Sequence, residues 1–201
     1  MNENAQGDKK SDISIKITPS APVILTIGHS NRPIDEFLEL LRAHSVERLF
    51  DIRTIPRSRH NPQFNTGALA ESLYHAGIEY IHVPELGGLR HASKNSVNAG
   101  WKNASFRGYA DYMQTPEFDA ALARLIEAAS GKRSAIMCAE AVPWRCHRSL
   151  VADALTARGI AAEHIMSAKK RDPHSLTPFA TLDGARVTYP APHESGKLPF
   201  K

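Results

Sequence analysis

Five short apolar runs, separated by segments of helical periodicity, constrain this chain more than any other feature. "VILTI" (Val23 to Ile27) is β-branched, uninterrupted and stopped by Gly28. "VERLFDI" (Val46 to Ile52), "IEYIHV" (Ile78 to Val83), "RSAIMC" (Arg133 to Cys138) and "AAEHIM" (Ala161 to Met166) follow it. Runs of this length, bounded by turn residues, read as strands. Between them lie helical patterns. "IDEFLELLRAH" places Ile34, Phe37, Leu38 and Leu41 on one face, and Pro33 suits a first helical turn. "GALAESLYHAG" is closed by Gly77, and "FRGYADYM" reads as a short helix. "PEFDAALARLIEAAS" runs from Pro116, capped by Thr115 before it and Gly131 after it, and "CHRSLVADALTARG" ends at Gly159. Alternation of this kind predicts an α/β fold: an open three-layer α/β/α sandwich with a mostly parallel sheet of about five strands and right-handed crossovers. Five strands are too few for an eight-stranded barrel.

Length and composition set the organisation. The chain's 201 residues suit one domain, and a hydrophobic content of 42% is enough for a core that folds without a structural metal. No run approaches the roughly 18 apolar residues of a membrane helix. The start, "MNENAQGDKKSDISIKITPS", is polar and lacks the apolar centre of a signal peptide, which predicts a cytoplasmic protein with no membrane partner. The expected division is a disordered N-terminal tail over 1–21, an α/β domain over 22–167 and an irregular C-terminal tail over 168–201. Leu176, Phe179, Val187, Tyr189 and Phe200 would let that tail pack as a strap. The segment from Pro84 to about Ala104 is rich in Gly, Asn, Ser and Lys, and loops this long are often functional.

Ligands of open parallel sheets bind outside the carboxyl ends of the strands. "GHSNR" follows the first strand, with His29, Ser30 and Arg32. "DIRTIPRSRHNPQF" closes the second, with Asp51 at its end and Arg53, Arg57, Arg59 and His60 beyond. "PELGGLRH" follows the third, and "CAEAVPWRCHR" closes the fourth. Polar and cationic residues therefore converge on one edge from four loops. Each piece also has a plain structural explanation. Gly28-His29-Ser30 fits a turn with a capping serine, Arg57 and Arg59 fit solvated loop charges, Asp51 fits a structural ion pair, and Gly87-Gly88 fits a simple turn. His44, His75, His164, His174 and His193 have no constellation around them.

Both cysteines of the chain lie in the fourth of these loops. Cys138 ends a strand, and Cys146 precedes a helix whose first turn, with Arg145, His147 and Arg148, would stabilise a thiolate or an anion. Glu140 is a candidate acid, base or orienting group. The bland alternative is that Cys138 is a small buried hydrophobe.

"TIGHSNR", "DIRTIPRSR", "FRGYADYM" and "MCAEAVPWRCHR" together resemble the family known as domain of unknown function 488, from about Val23 to Ile165. "TPFATLDGARVTYP" is similar to the tail of some of its members. The resemblance implies a small α/β domain and two important cysteines, which map onto Cys138 and Cys146, with His147 and Arg148 completing the second motif. It implies no substrate.

Three functions compete. The first is an enzyme-like pocket for an anionic ligand bearing phosphate, a nucleotide or a nucleic-acid end. Ser30, Arg32, Arg53, Arg57, Arg59, His147 and Arg148 would bind it, and Cys138, Glu140, Cys146, His29 and Asp51 are the catalytic candidates. Cys138 does not begin a Cys-x5-Arg phosphatase loop, because Arg145 falls one residue too far. No Walker loop or G-x-G-x-x-G motif is present, so no cofactor is implied. The second is a metal or redox site in which Cys138, Cys146 and His147 supply three ligands and His29 or Glu140 a fourth. The spacing is not that of a zinc ribbon, and no metal ligand set is assigned on sequence. The third is a non-catalytic nucleic-acid-binding module. A net charge of +4 allows it, but no helix shows a basic face.

Overall fold

The computed structural model describes residues 23–191. The disordered tail expected over 1–21 and the end of the chain from 192, with His193 and Phe200, lie outside the described residues. β1 (Val23–Gly28), β2 (Arg48–Asp51), β3 (Glu79–His82), β4 (Ser134–Cys138) and β5 (Ala161–Ser167) alternate with α1 (Ile34–Ala43), α2 (Thr66–His75), α3 (Ala104–Tyr112), α4 (Pro116–Ala129) and α5 (Arg148–Thr156). β6 (Lys170–Pro173), β7 (Thr181–Asp183) and β8 (Arg186–Thr188) follow. The main sheet has the order β3-β2-β4-β1-β5-β6, with β1 to β5 parallel and β6 antiparallel at one edge. This is the predicted α/β sandwich, with one strand added.

Strand residues alternate between the two faces, and each face has its own core. Ile24, Phe50 and Ile136 pack with α3, α4 and α5, whereas Leu25, Ile27, Leu49, Ala135 and Met137 pack with α1 and α2. The helix-stopping glycines Gly77, Gly131 and Gly159 all have positive φ, which only a residue without Cβ adopts at little cost. β2 and β3 are shorter than their apolar runs. α5 starts at Arg148 rather than Cys146, because Pro143–Arg145 forms a 3₁₀ turn and Cys146 is extended.

The segment after Ser167, expected to be irregular, holds β6 and the β7-β8 hairpin. It also explains why α5 is buried from Arg148 to Leu155. Buried Asp153 on α5 accepts hydrogen bonds from His174 Nε2 (2.8 Å), Thr177 N and Oγ1 (3.0 and 2.7 Å) and Tyr189 Oη (2.7 Å). One carboxylate thus fastens three points of the C-terminal segment over the helix. Among the described residues no helix is long and apolar enough to cross a membrane.

Candidate functional site

Strand register assembles the site. Gly28 pairs with Cys138 and Asp51 with Met137, so β1, β2 and β4 end at one level. His29, Asp51 and Cys138 therefore share the carboxyl edge. The 3₁₀ turn carries the chain out past Trp144, and extended Cys146 brings it back. Cys138 Sγ lies 3.7 Å from His147 Nδ1, and Cys146 Sγ lies 3.8 Å from the same nitrogen. Both cysteines are buried and neither is in a disulfide.

The imidazole orientation is set from behind. His147 Nε2 lies 3.2 Å from the carbonyl oxygen of Ile52. A carbonyl only accepts, so Nε2 carries the proton and Nδ1 turns its lone pair to the two sulfurs. Gly88 presses on the same ring: a Cβ there would sit 2.5 Å from Nδ1 and 3.0 Å from Cγ and Cε1. Tyr109 holds this cover down, donating to the Leu86 carbonyl at 2.8 Å with its ring 4.9 Å from that of His147.

The thiols are inequivalent. A hydrogen bond from Cys146 holds the Cys138 thiol below its usual range, helped by the backbone N–H groups of Ala139 and Glu140 and the charge of Arg148, against the opposing effect of burial. Burial pushes the Cys146 thiol up, and its neighbour's developing charge adds to the rise. A cavity of about 350 Å³ opens above the three side chains. Ile55, Leu89 and Phe106 give it apolar walls, and Arg53, Glu140 and Arg145 add charge.

The other sequence candidates separate into three groups. Asp51 and Arg53 form a buried ion pair at 2.6 Å, with Tyr80 Oη also donating to Asp51 and Arg53 donating to the Phe64 carbonyl. His29 is stacked on Phe64 at 4.2 Å, and its Nε2 accepts from Arg53 at 3.2 Å. Its Nδ1–H then donates to the Ser30 carbonyl at 2.6 Å, and burial lowers its pKa to about 4. Both nitrogens of His29 are engaged, and Asp51 is fully paired. Arg32 donates to the Gly28 carbonyl at 2.7 Å and pairs with Glu36, while the side chain of Ser30 reaches Asn31. Arg57 and Arg59 are exposed, without side-chain hydrogen bonds or ion pairs among the described residues.

Arg148 differs most from its expected loop-facing, anion-binding position. It is 1% exposed, and it donates to the carbonyls of Glu140 and, at 2.8 Å, Ala141. A guanidinium forks around two backbone carbonyls well, so Arg148 braces the loop between the cysteines from inside. Gly28 leaves room for this, since a Cβ there would overlap the Glu140 carbonyl. Of the expected cationic convergence, Arg32, Arg53 and Arg148 are thus engaged within the protein, whereas Arg57, Arg59 and Arg145 remain exposed. The Ile52 carbonyl, Gly88 and Tyr109 were not among the sequence candidates. They are visible in the sequence only as part of the Gly87-Gly88 pair and of the stretches "DIRTIPRSR" and "FRGYADYM".

An open α/β domain with a cysteine–histidine cluster at the carboxyl edge of its sheet is the class that fold and site define. Within that class the chain belongs to the family described as Domain of unknown function DUF488, whose model matches residues 33–155. The matched span holds Asp51, Cys138, Cys146 and His147, while His29, Ser30 and Arg32 precede it. Neither the curated proteins nor the solved structures give a significant match to the chain.

Proposed function

We propose that the protein binds a small ligand in the cavity above Cys138, Cys146 and His147 and acts on it through this sulfur–imidazole centre. The observation that carries this reading is the convergence of all three side chains on the lining of one cavity. Concave sites with apolar walls and a few convergent polar groups are the usual form of small-molecule sites. Ile55 and Leu89 are largely exposed at the walls and suit an apolar portion of the ligand. Exposed Arg145 has no ion pair among the described residues and suits an anionic group. Arg148 and Asp51 act as positioning residues, because their polar atoms are occupied inside the protein.

The test is alkylation of the chelator-treated native protein with iodoacetamide, mapped by peptide mass. A cavity that serves the thiols predicts labelling of Cys138 or Cys146 in the folded state. A panel of small carboxylates and phosphates should slow that labelling, and Arg145→Ala should weaken the protection about tenfold, the value of one charge-assisted contact. Labelling that begins only when the protein unfolds would contradict the reading.

A further inference from the structure

We infer that Cys138, Cys146 and His147 form a binding site for a thiophilic divalent cation of the zinc class, with its fourth coordination position facing the cavity. The inference rests on the reading of the cavity as the working site and names what occupies its floor.

Ligand spacing is the first argument. The three donor atoms all lie within 4.8 Å of one another, and each sulfur is 3.7–3.8 Å from Nδ1. Tetrahedral zinc with bonds of about 2.3 Å to sulfur and about 2.0–2.1 Å to nitrogen requires sulfur–nitrogen edges of about 3.5–3.6 Å. The observed sulfur–nitrogen edges need to contract by only a few tenths of an ångström. A single cysteine–histidine pair does not require a second sulfur at the same distance from the same lone pair.

The second argument is the imidazole. Metal-bound histidines commonly donate their distal N–H to a carbonyl or carboxylate, which fixes ring and tautomer. His147 has this arrangement through the Ile52 carbonyl, leaving Nδ1 as the ligand atom. The Cβ that Gly88 lacks would lie 2.5 Å from Nδ1 and only 3.0 Å from Cγ and Cε1, too near both carbons for a position in line with the Nδ1 lone pair and so over the ring face. The direction from which a metal would bind is therefore not the one that Gly88 occupies.

The third argument concerns the fourth position. His29 has both nitrogens engaged, and Glu140 is exposed and outside the cluster. Neither completes the set, whereas the cavity opens onto all three ligands. Three protein ligands with an open position are the pattern of catalytic rather than structural zinc, and two sulfurs with one imidazole are one of its known donor sets. Such an ion would polarise a bound ligand or activate water, and its binding would release thiol protons.

Cobalt(II) is the probe. Chelator-treated protein titrated with Co²⁺ should develop thiolate-to-cobalt absorption in the near ultraviolet, saturating at about one equivalent per chain, with protons released. Cys146→Ser should lower the affinity at least about tenfold and weaken that absorption, while Arg57→Ala should leave both unchanged. Because Cys146 is buried, circular dichroism of the variant must match wild type. If the variant does not fold, the X-ray absorption spectrum of the wild-type cobalt protein decides, with sulfur and nitrogen in the first shell expected. Absence of stoichiometric uptake, or a shell of oxygen alone, would overturn the inference. If the thiols are still alkylated in the folded state, the cavity reading survives without the metal. If they are not, both fail.

Discussion

Arg148 and Gly88 shape the cysteine–histidine cluster through its surroundings, and each makes a measurable prediction. Arg148 carries a fixed charge and donates to two carbonyls of the loop that joins the cysteines. Removing it leaves those carbonyls unpartnered and a hole in the core. Two charge-assisted hydrogen bonds at roughly 1.5–3 kcal/mol each imply that Arg148→Ala loses about 3 kcal/mol or more of stability. Urea unfolding checks this. An unchanged midpoint would show that the guanidinium does not brace the loop. Gly88→Ala places a methyl group against the face of the His147 ring, and overpacking of this kind costs about 1–3 kcal/mol. The variant should unfold at lower urea and bind Co²⁺ more weakly, because the ring must turn away from the sulfurs. Wild-type affinity would show that the Gly88 contact does not set the ring. From sequence, Arg148 and Arg59 looked equivalent, as cations beside a strand end. Burial separates them, and burial depends on Gly28 and on a C-terminal segment remote in sequence.

At the scale of elements, α5 and the segment that covers it behave as one unit. A chain of hydrogen bonds runs from Thr26 Oγ1 to His164 Nδ1 (2.7 Å), from His164 to His174 (3.1 Å) and from His174 to Asp153 (2.8 Å). A carboxylate only accepts, so His174 donates to Asp153 from Nε2. Asp153→Ala orphans the His174, Thr177 and Tyr189 donors together, and loss of several buried partners should cost about 3 kcal/mol or more. Limited proteolysis should then cut the segment after Ser167 first. Resistance equal to wild type would rule out the carboxylate as its fastening.

The same unit sets a pH dependence. Burial lowers the pKa of His164 from 6.5 to about 4, helped by the charges of His174 and Arg148 and opposed by Asp172 and Asp153. The unfolded chain therefore takes up this proton before the folded one does. Stability from His164 is full above about pH 6.5 and falls as the pH drops from there towards 4. Urea midpoints at pH 7.5, 6 and 5 should decline in that order, and His164→Gln should flatten part of the decline. Sequence showed these histidines only as isolated residues, because their partners come from β1, α5 and the far side of β6. β6 itself was illegible for a different reason. "KRDP" is an exposed antiparallel edge strand, and an edge strand needs no apolar pattern.

Across the whole molecule, the order from β1 to β5 was legible because those elements carry their own signals: apolar runs for the parallel strands, Pro33 and Thr115 at helix starts, and glycines at helix ends. That order brings His29, Asp51 and Cys138 to one edge by register alone. Which of the gathered side chains remain available was not legible. Asp51, Arg53 and His29 consume one another, Arg148 turns inward, and Cys138, Cys146 and His147 are left facing the cavity. The central claim is that these three act as one centre, with a metal as the floor of a ligand site.

X-ray absorption at the zinc edge, on protein purified without chelator and loaded with one equivalent of Zn²⁺, tests that claim most directly. The account predicts a first shell of two sulfurs at about 2.3 Å and one imidazole nitrogen at about 2.0–2.1 Å, with the fourth position filled by a light atom from solvent. A shell without sulfur, or one with a single sulfur that persists in Cys146→Ser, would contradict it.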